Sequence, residues 1–394
     1  MEMDDGDADK NILRQLVKDL SDKFDMSMRS TYTTSAIEEH TPMVEESDKW
    51  FIEPAEAKKT ADEEIADEAK NFDLYRRNWE YAWSKTCGSF EHMTALSSMQ
   101  FTCYTPGLNF PRSAAACTPA TLQIFSIKLA EIAGAFPWPL SVYGLVAVRD
   151  VVDRNRNFLF SCDRNNSQEL TQDDPFFRLV GPSRAILYTD KVYFEIELRV
   201  KGTEESEDKA LITEARRYHE AFGVGMSTVC FKNCFCTLEL CVEVVRKTNQ
   251  ATILGVQVNK GRGQPCPFEY GARVTCYPVP GKWMFPDNKL TYVTYPASGE
   301  IVMVDSKDGA RLKGCDGYLH LPRNVISVET EGRLDVDIIA YSKSGEIAAQ
   351  EFVCFQPKFS KISRRKCYVR GSMVVITVAW SLVATDKRRF MALG

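Results

Sequence analysis

Several groups of side chains in this sequence have the types and spacing that chemistry needs. Glu214 and Arg217 stand three residues apart in a charged segment, Thr203 to His219, that reads as a short helix or an exposed loop. On a helix that spacing puts a carboxylate and a guanidinium on one face, and the plain reading of such a pair is a solvated ion pair. Cys230, Cys234, Cys236 and Cys241 crowd a short stretch with His219 nearby, yet no Cys-x-x-Cys knuckle of the zinc-holding kind occurs, so buried thiols are expected and no metal. Asp150, Asp153, Asp163, Asp305 and Asp308 sit beside turns, as calcium-binding carboxylates do, but Arg149, Arg154, Arg156 and Arg164 share those loops and would neutralise them. Arg112, Arg149, Arg154, Arg156, Arg164, Arg178 and Arg184 form a basic, aromatic-interleaved set that could meet RNA or phosphate; a solvated surface is the simpler account, and nucleic acid is not expected as a partner. The four histidines, at positions 40, 92, 219 and 320, lie in no nucleophile motif.

The elements that must position these groups are mainly strands. Leu140 to Val148 is apolar almost without break, as in a strand buried on both faces. Val192, Phe194, Ile196, Leu198 and Val200 alternate with Tyr193, Glu195, Glu197, Arg199 and Lys201, as in a strand with one wet face. Leu122 to Ala133 alternates as well. Further strands are expected at 237–245, 252–258, 272–277, 290–295, 301–304, 325–329, 334–341, 346–355 and 373–383, separated by turn signals such as Lys260-Gly261-Arg262-Gly263 and Ser344-Gly345. About thirteen short strands imply a mainly β fold, a β-sandwich assembly. Pro182-Ser183-Arg184-Ala185-Ile186 is echoed by Pro322-Arg323-Asn324-Val325-Ile326, which raises two related sandwich halves beside a single one. Trp138 and Trp380, in apolar β-rich surroundings, are expected in the core.

Ahead of this body, residues 1–53 read as an acidic, largely disordered arm with one short amphipathic helix, Asp9 to Phe24. Residues 54–88 read as a longer amphipathic helix with Ile65, Ala69, Phe72, Trp79 and Trp83 on its stripe, stopped by Gly88. Residues 89–394 form the β domain, its core about 120–385. The chain carries a net charge of −5, but residues 1–70 hold 20 acidic against 9 basic side chains, which leaves 34 against 40 for the remainder. The acidic start lacks the positive charge and apolar core of a secretory signal, and no run reaches the ~20 apolar residues of a membrane span. Thirteen cysteines, an odd number, suit reduced thiols. An intracellular protein, cytoplasmic or nuclear, with no membrane contact and no cofactor is the expectation.

Pro137-Trp138-Pro139-Leu140 with Tyr143-Gly144 and Ala147 to Asp150, then Asp153 to Asn157, Leu179 to Ile186 and Phe194 to Lys201, resemble a family expanded in grass genomes and known only as a domain of unknown function. Tyr75 to Trp83, Thr121 to Ile132 and Val378 to Ser381 extend the resemblance, whereas Cys162-Asp163 depart from it. It implies a mostly β fold and brings no activity; its signature here is Trp138, Tyr143, Gly144, Arg149, Asp150, Gly181, Pro182, Arg184 and Trp380. Such domains are sometimes joined to ribosome-inactivating N-glycosidases. Glu214-Ala215-Arg216-Arg217-Tyr218 resembles the core of those enzymes, in which Glu214 would stabilise an oxocarbenium-like ribose and Arg217 would protonate the departing adenine. The preferred expectation is a non-catalytic interaction module whose partner is another protein; the rRNA N-glycosidase is the alternative.

Overall fold

The computed structural model describes residues 59–96, 116–134, 136–219, 225–259, 266–281, 283–284, 290–291, 299–306 and 317–386. The arm, Pro54 and Asp308 lie outside them. The chain divides into two units, residues 1–90 and 91–394.

In the first unit, helix α1 (Ala61–Cys87) starts where Thr60-x-x-Glu63 forms a capping box: Thr60 Oγ1 accepts from the Glu63 amide at 3.3 Å and Glu63 Oε2 from the Thr60 amide at 2.8 Å. This satisfies two amides that the first helical turn otherwise leaves open. Gly88, at φ 90°, ends the helix as expected. Phe72, Tyr75 and Trp79 are its buried residues and gather edge-on around Phe90, the Trp79 and Phe90 rings 5.4 Å apart. Trp83 is only half-buried.

In the second unit the strands among the described residues pair antiparallel throughout. Strands β1 (Ala116–Cys117) and β21 (Val383–Ala384) pair with one another near the two ends of the unit. Between them run β2 (Thr121–Ile132), β3 (Leu140–Arg149), β4 (Asn157–Cys162), β5 (Gln168–Leu170), β6 (Ile186–Leu187), β7 (Val192–Val200), β8 (Lys209–Tyr218), β9 (Met226–Lys232) and β10 (Cys236–Val245). There follow β11 (Thr248–Asn259), β12 (Ala272–Val279), β13 (Trp283–Met284), β14 (Leu290–Thr291), β15 (Ile301–Ser306), β16 (Val325–Glu329), β17 (Arg333–Tyr341), β18 (Ile347–Phe355), β19 (Ile362–Val369) and β20 (Ser372–Ser381). The sheets run β6-β2-β10-β9 and β4-β3-β7-β8, with β5 on β3, in the first part. They run β16-β11-β20-β19 and β15-β12-β17-β18 in the second. Replacing β2 by β11, β3 by β12 and so on to β10 by β20 converts one pair of sheets into the other. The unit is thus two sandwiches of one topology.

The duplication extends to single residues. β2 and β11 both begin Thr-x-Gln, at Thr121 and Thr248. Gln123 Oε1 accepts from the Ser327 amide at 2.8 Å, and Gln250 Oε1 accepts from the Ala185 amide at 2.6 Å, so each sandwich reaches into the other in the same way. Thr121 Oγ1 lies 3.1 Å from Thr248 Oγ1 and 2.9 Å from Ser327 Oγ in the same seam. Phe176 bridges to Lys128 as Tyr318 bridges to Gln257, and Phe176 stands as far from Tyr318 in sequence as Ala185 does from Ser327. The true register therefore matches Ala185 with Ser327, two residues beyond the match suggested by the Pro182 and Pro322 echo.

Both cores are apolar and continuous between their sheets. In the first, Phe194 on β7 meets Phe231 on β9 at 5.7 Å. In the second, Val256, Val274, Ile338, Val353, Ile376 and Trp380 belong to one cluster. Each such aliphatic side chain contributes about 1.5–3 kcal/mol relative to leaving it in water. Trp380 is fully buried, as expected. Trp138 is not: it sits half-buried in the corner before β3, and Phe136, edge-on to Phe235 at 5.2 Å, fills the core there.

Two further expectations are corrected. The segment Thr203 to His219 is neither helix nor loop for most of its length; after a 3-10 turn at Glu205–Glu207 it becomes β8, paired with β7, because Leu211, Ile212, Ala215 and Tyr218 are drawn into the core. The wet face of β7 is closed over its first half, where Tyr193 and Glu195 are buried, and open at Glu197 and Arg199. Strands β9 and β19 lacked a clear sequence signal because each ends its sheet and buries few of its side chains. Among the described residues no helix is long and apolar enough to cross a membrane.

Candidate functional site

The charged residues of the sequence signature are buried together in the first sandwich, Glu195 on the face of β7 opposite Phe194 and so outside the core between the sheets. Glu195, with none of its side chain exposed, accepts from Arg149 Nε and, at 3.2 Å, from Arg149 Nη2. Its second oxygen also accepts from Arg156 Nε at 2.6 Å. Arg156 then donates to Glu91 at 2.5 Å and to Glu197 at 2.9 Å, so one buried carboxylate is flanked by two guanidiniums and the outer one reaches two more carboxylates. Burial works against the Arg156 charge, but Glu195, Glu197 and Glu91 together outweigh it and the group is held above its usual value. Glu197, half-exposed, is pushed up by burial despite Arg156.

A second set lies in the adjoining loops. Arg184 grips Asp150 with both terminal nitrogens, at 2.6 and 2.8 Å, and reaches Asp153 at 3.0 Å and Thr94 Oγ1 at 3.0 Å. Thr94 in turn donates to Asp153 at 2.5 Å. Asp150 also accepts from the Leu187 and Val152 amides, at 2.9 and 3.1 Å, and Asn157 ties the Arg184 carbonyl and the Ser183 amide. Burial opposes the Arg184 charge and the two aspartates reverse the balance, leaving it above its usual value. The Arg184 contacts to Asp150 and Asp153 join the β3–β4 loop to the lead into β6, close in sequence to the Gly181–Pro182 cis peptide, and Thr94 ties in the segment before β1. Fork-shaped pairing of this kind fixes orientation as well as charge, and breaking one partner leaves a buried ion uncompensated.

Tyr143 anchors a third knot. Its hydroxyl donates to Asp208 Oδ2 at 2.7 Å; Arg164 Nε donates to the same oxygen at 2.7 Å, and the Gly202 amide to Oδ1 at 2.8 Å. The Arg164 hydrogen bond first, then Tyr143 and the amide, hold Asp208 well below the usual carboxylate range. Beside Tyr143, Gly144 at φ 122° runs so close to β7 that a methyl group on it would sit 2.0 Å from the Glu197 carbonyl oxygen.

Asp150 and Asp153 are thus brought together, but with Arg184 between them. Asp163 caps a 3-10 turn through the Asn166 amide at 2.9 Å, and Asp305 accepts from Tyr341 at 3.0 Å. Of the basic set, Arg149, Arg156 and Arg184 are buried in ion pairs, Arg164 is held by Asp208, Arg178 is exposed and Arg112 is outside the described residues. Cys230 is exposed on β9, Cys236 buried at the head of β10, and Cys241 half-buried 4.0 Å from the Met226 sulfur. Among the described residues the cysteines form no disulfide and no cluster of metal-ligating side chains occurs.

Glu214 and Arg217 lie on strand β8, where residues three apart project to opposite faces. Glu214 pairs instead with Arg216 at 3.1 Å, two residues along and on its own face. Arg216 also donates to the Cys230 carbonyl at 2.6 Å and covers the Phe231 ring at 3.8 Å.

The surface feature that the sequence reading missed is on the second sandwich. Ile347 and Phe352 on β18, which ends its sheet, are 59% and 68% exposed. Nothing in the 346–355 run distinguished a buried apolar residue from an exposed one, since every β-rich segment is apolar somewhere.

A mainly β, duplicated sandwich with a buried ionic lock is the class that these observations define. Its family follows from the match of residues 121–378, from the first residue of β2 into β20, to the model described as "Domain of unknown function (DUF6598)": the chain belongs to this family. No curated protein matches it. Among solved structures the chain is similar to human GIVD cytosolic phospholipase A2, in a complex with methyl gamma-linolenyl fluorophosphonate, with a TM-score of 0.21, 10% identity, and coverage of 68% of this chain and 33% of that one. A second structure of that enzyme gives a TM-score of 0.21 at 9% identity, covering 68% and 30%. The chain spans about a third of the length of these proteins.

Proposed function

We propose that this chain is a non-catalytic β-sandwich module that binds another protein, and that the outer face around β18 receives it. The observation that carries the reading is the exposure of Ile347 and Phe352 on that edge strand, an apolar pair rimmed by Gln350, which donates to Asp337 at 2.9 Å. Apolar anchors with a polar rim are the anatomy of protein interfaces. The signature charges support it differently, since they are buried in ion pairs of the first sandwich rather than facing solvent. β8, the counterpart of β18, carries no large exposed apolar residue.

A photo-crosslinking residue placed at 352 in the full chain identifies the partner, and binding of that purified partner is then measured against Phe352→Lys. Loss of binding with an unchanged melting temperature is expected; retained affinity overturns the reading. Adenine release from ribosomes by the wild-type chain, abolished in Glu214→Gln, would instead establish the N-glycosidase.

A further inference from the structure

We propose that the outer face of the sheet β16-β11-β20-β19 binds single-stranded nucleic acid, a site on the opposite sheet from the protein surface at β18 and independent of it. From Gln356 to Gly371 the chain holds six basic residues, Lys358, Lys361, Arg364, Arg365, Lys366 and Arg370, and no acidic one. All six are exposed. Arg365 alone points to the sandwich side, where it donates to the Cys354 carbonyl at 3.1 Å and lies over the Phe355 ring. The side chains of the other five make no ion pair or hydrogen bond with any described residue, in contrast to Arg149, Arg156 and Arg184 of the first sandwich.

The alternation of β19 sorts its side chains. Cys367 and Val369 turn inward and are buried, so Arg364, Lys366, Tyr368 and Arg370 share the outer side, successive members about 6.7 Å apart along the strand. Registers carry that row across the sheet. Arg364 stands opposite Thr377, which stands opposite Gly255; Lys366 opposite Val375 and Gln257; Tyr368 opposite Met373 and Asn259. Gly255 has no side chain for a reason: the Tyr318 ring occupies its place, 2.7 Å from where a methyl group would be. Tyr318 and Tyr368, the latter 65% exposed, thus flank the face at diagonal corners, with Phe359, 54% exposed, in the lysine-bearing corner before β19.

Cations along a strand suit an extended polyanion, and aromatic faces among them suit unstacked bases; together they are the means by which single strands are held without sequence preference. Gln257 and Asn259 add amides that can meet base edges. An acidic peptide would use the cations but not the tyrosines, and a duplex keeps its bases out of reach of a flat face. The other sandwich is an internal control. Its matching strand, β9, has one basic residue, Lys232, near Glu131 at 3.9 Å, so the fold does not require the row. Edge-strand lysines also guard against pairing between sheets, but that task involves no aromatic side chain.

The test is fluorescence anisotropy of the full chain with labelled twelve-nucleotide oligo-U and oligo-dT, beside a twelve-base-pair RNA duplex, polyglutamate, and vesicles of phosphatidylcholine with and without phosphatidylserine. Both single strands should bind at 0.1 M salt, more tightly than the duplex, and a preference for oligo-U or oligo-dT names RNA or DNA as the source. Three phosphate contacts predict a slope near about −2 for log K against log salt concentration. Arg364→Glu with Lys366→Glu should weaken binding at least tenfold, and Tyr368→Ala about fivefold or more, each at an unchanged melting temperature, while Phe352→Lys changes nothing. Absence of binding to either strand at 50 mM salt overturns the proposal. So does equal binding to polyglutamate or to phosphatidylserine vesicles with no dependence on Tyr368, which would mark a general polyanion or membrane surface.

Discussion

The two sandwiches share a strand order and differ in where they put their charge. In the first, Arg149, Arg156 and Arg184 are buried, matched by Glu195, Asp150 and Asp153. In the second, Arg364 and Lys366 of β19 are exposed with no carboxylate paired to them among the described residues, and the buried guanidinium of Arg323 pairs with no described carboxylate. Arg323 donates to the carbonyl oxygens of Ile124 and, at 3.1 Å, Phe125 across the seam, and burial pulls it down to about 10. The lesson is that topology is set by apolar strand faces, which both halves keep, whereas polar residues are free to serve as loop locks in one half and as surface in the other.

The comparison breaks most directly at Glu195. Glu195→Ala strands two buried guanidiniums and should cost about 3–5 kcal/mol, enough to unfold the chain or shift its urea midpoint severely, whereas Arg364→Ala at the surface should move it by no more than about 0.5 kcal/mol. Equal effects would mean that the ionic lock contributes nothing. Next come the glycines. Gly144→Ala, forced against the β7 backbone at positive φ, should lose about 3 kcal/mol; Gly255→Ala, which meets only a surface tyrosine ring able to swing away, about 1 kcal/mol. Thermal melting of the two variants ranks them, and a reversed order would refute the close approach at Gly144.

The seam tests the duplication itself. Gln123→Ala and Gln250→Ala each leave a buried amide without its acceptor, so each should cost about 1–3 kcal/mol, and the two costs should match to within the error of denaturant titration. A large inequality would show that the reciprocal contacts are not equivalent. The smallest effect is at Asp208. Because its folded pKa is depressed, the stability it contributes is present above the ordinary aspartate value, about 3.9, and is lost as pH falls below it. The gap in melting temperature between wild type and Asp208→Asn should therefore narrow steadily as pH falls from 5 to 2; a gap independent of pH would remove Asp208 as its source.

Local pattern was enough for a large share of the fold. The alternation of Leu122 to Ala133, the turn signals after 245 and the apolar runs to 383 placed strands close to their observed bounds, because apolar side chains on a pleated strand must alternate to reach one core. The family signature was legible too, but its meaning was not: Arg149, Asp150, Asp153 and Arg184 read equally well as a cation site, a basic surface or a lock. Only folding decides among these, since what a charge does depends on which opposite charge is brought beside it from residues 30 or 40 positions away. For the same reason Glu195 looked solvent-facing and is buried, and Glu214 and Arg217 looked like one helical face and are on two faces of a strand. A charged alternating segment has similar local preferences in either state, and pairing with β7 is what makes 209–218 a strand. By itself the sequence determined that this chain would be a β-sandwich protein with an acidic start. The tertiary structure decided that there are two equivalent sandwiches, that the signature charges are buried, and that β19 turns a basic row outward, because register and burial are properties of paired strands and not of any one segment.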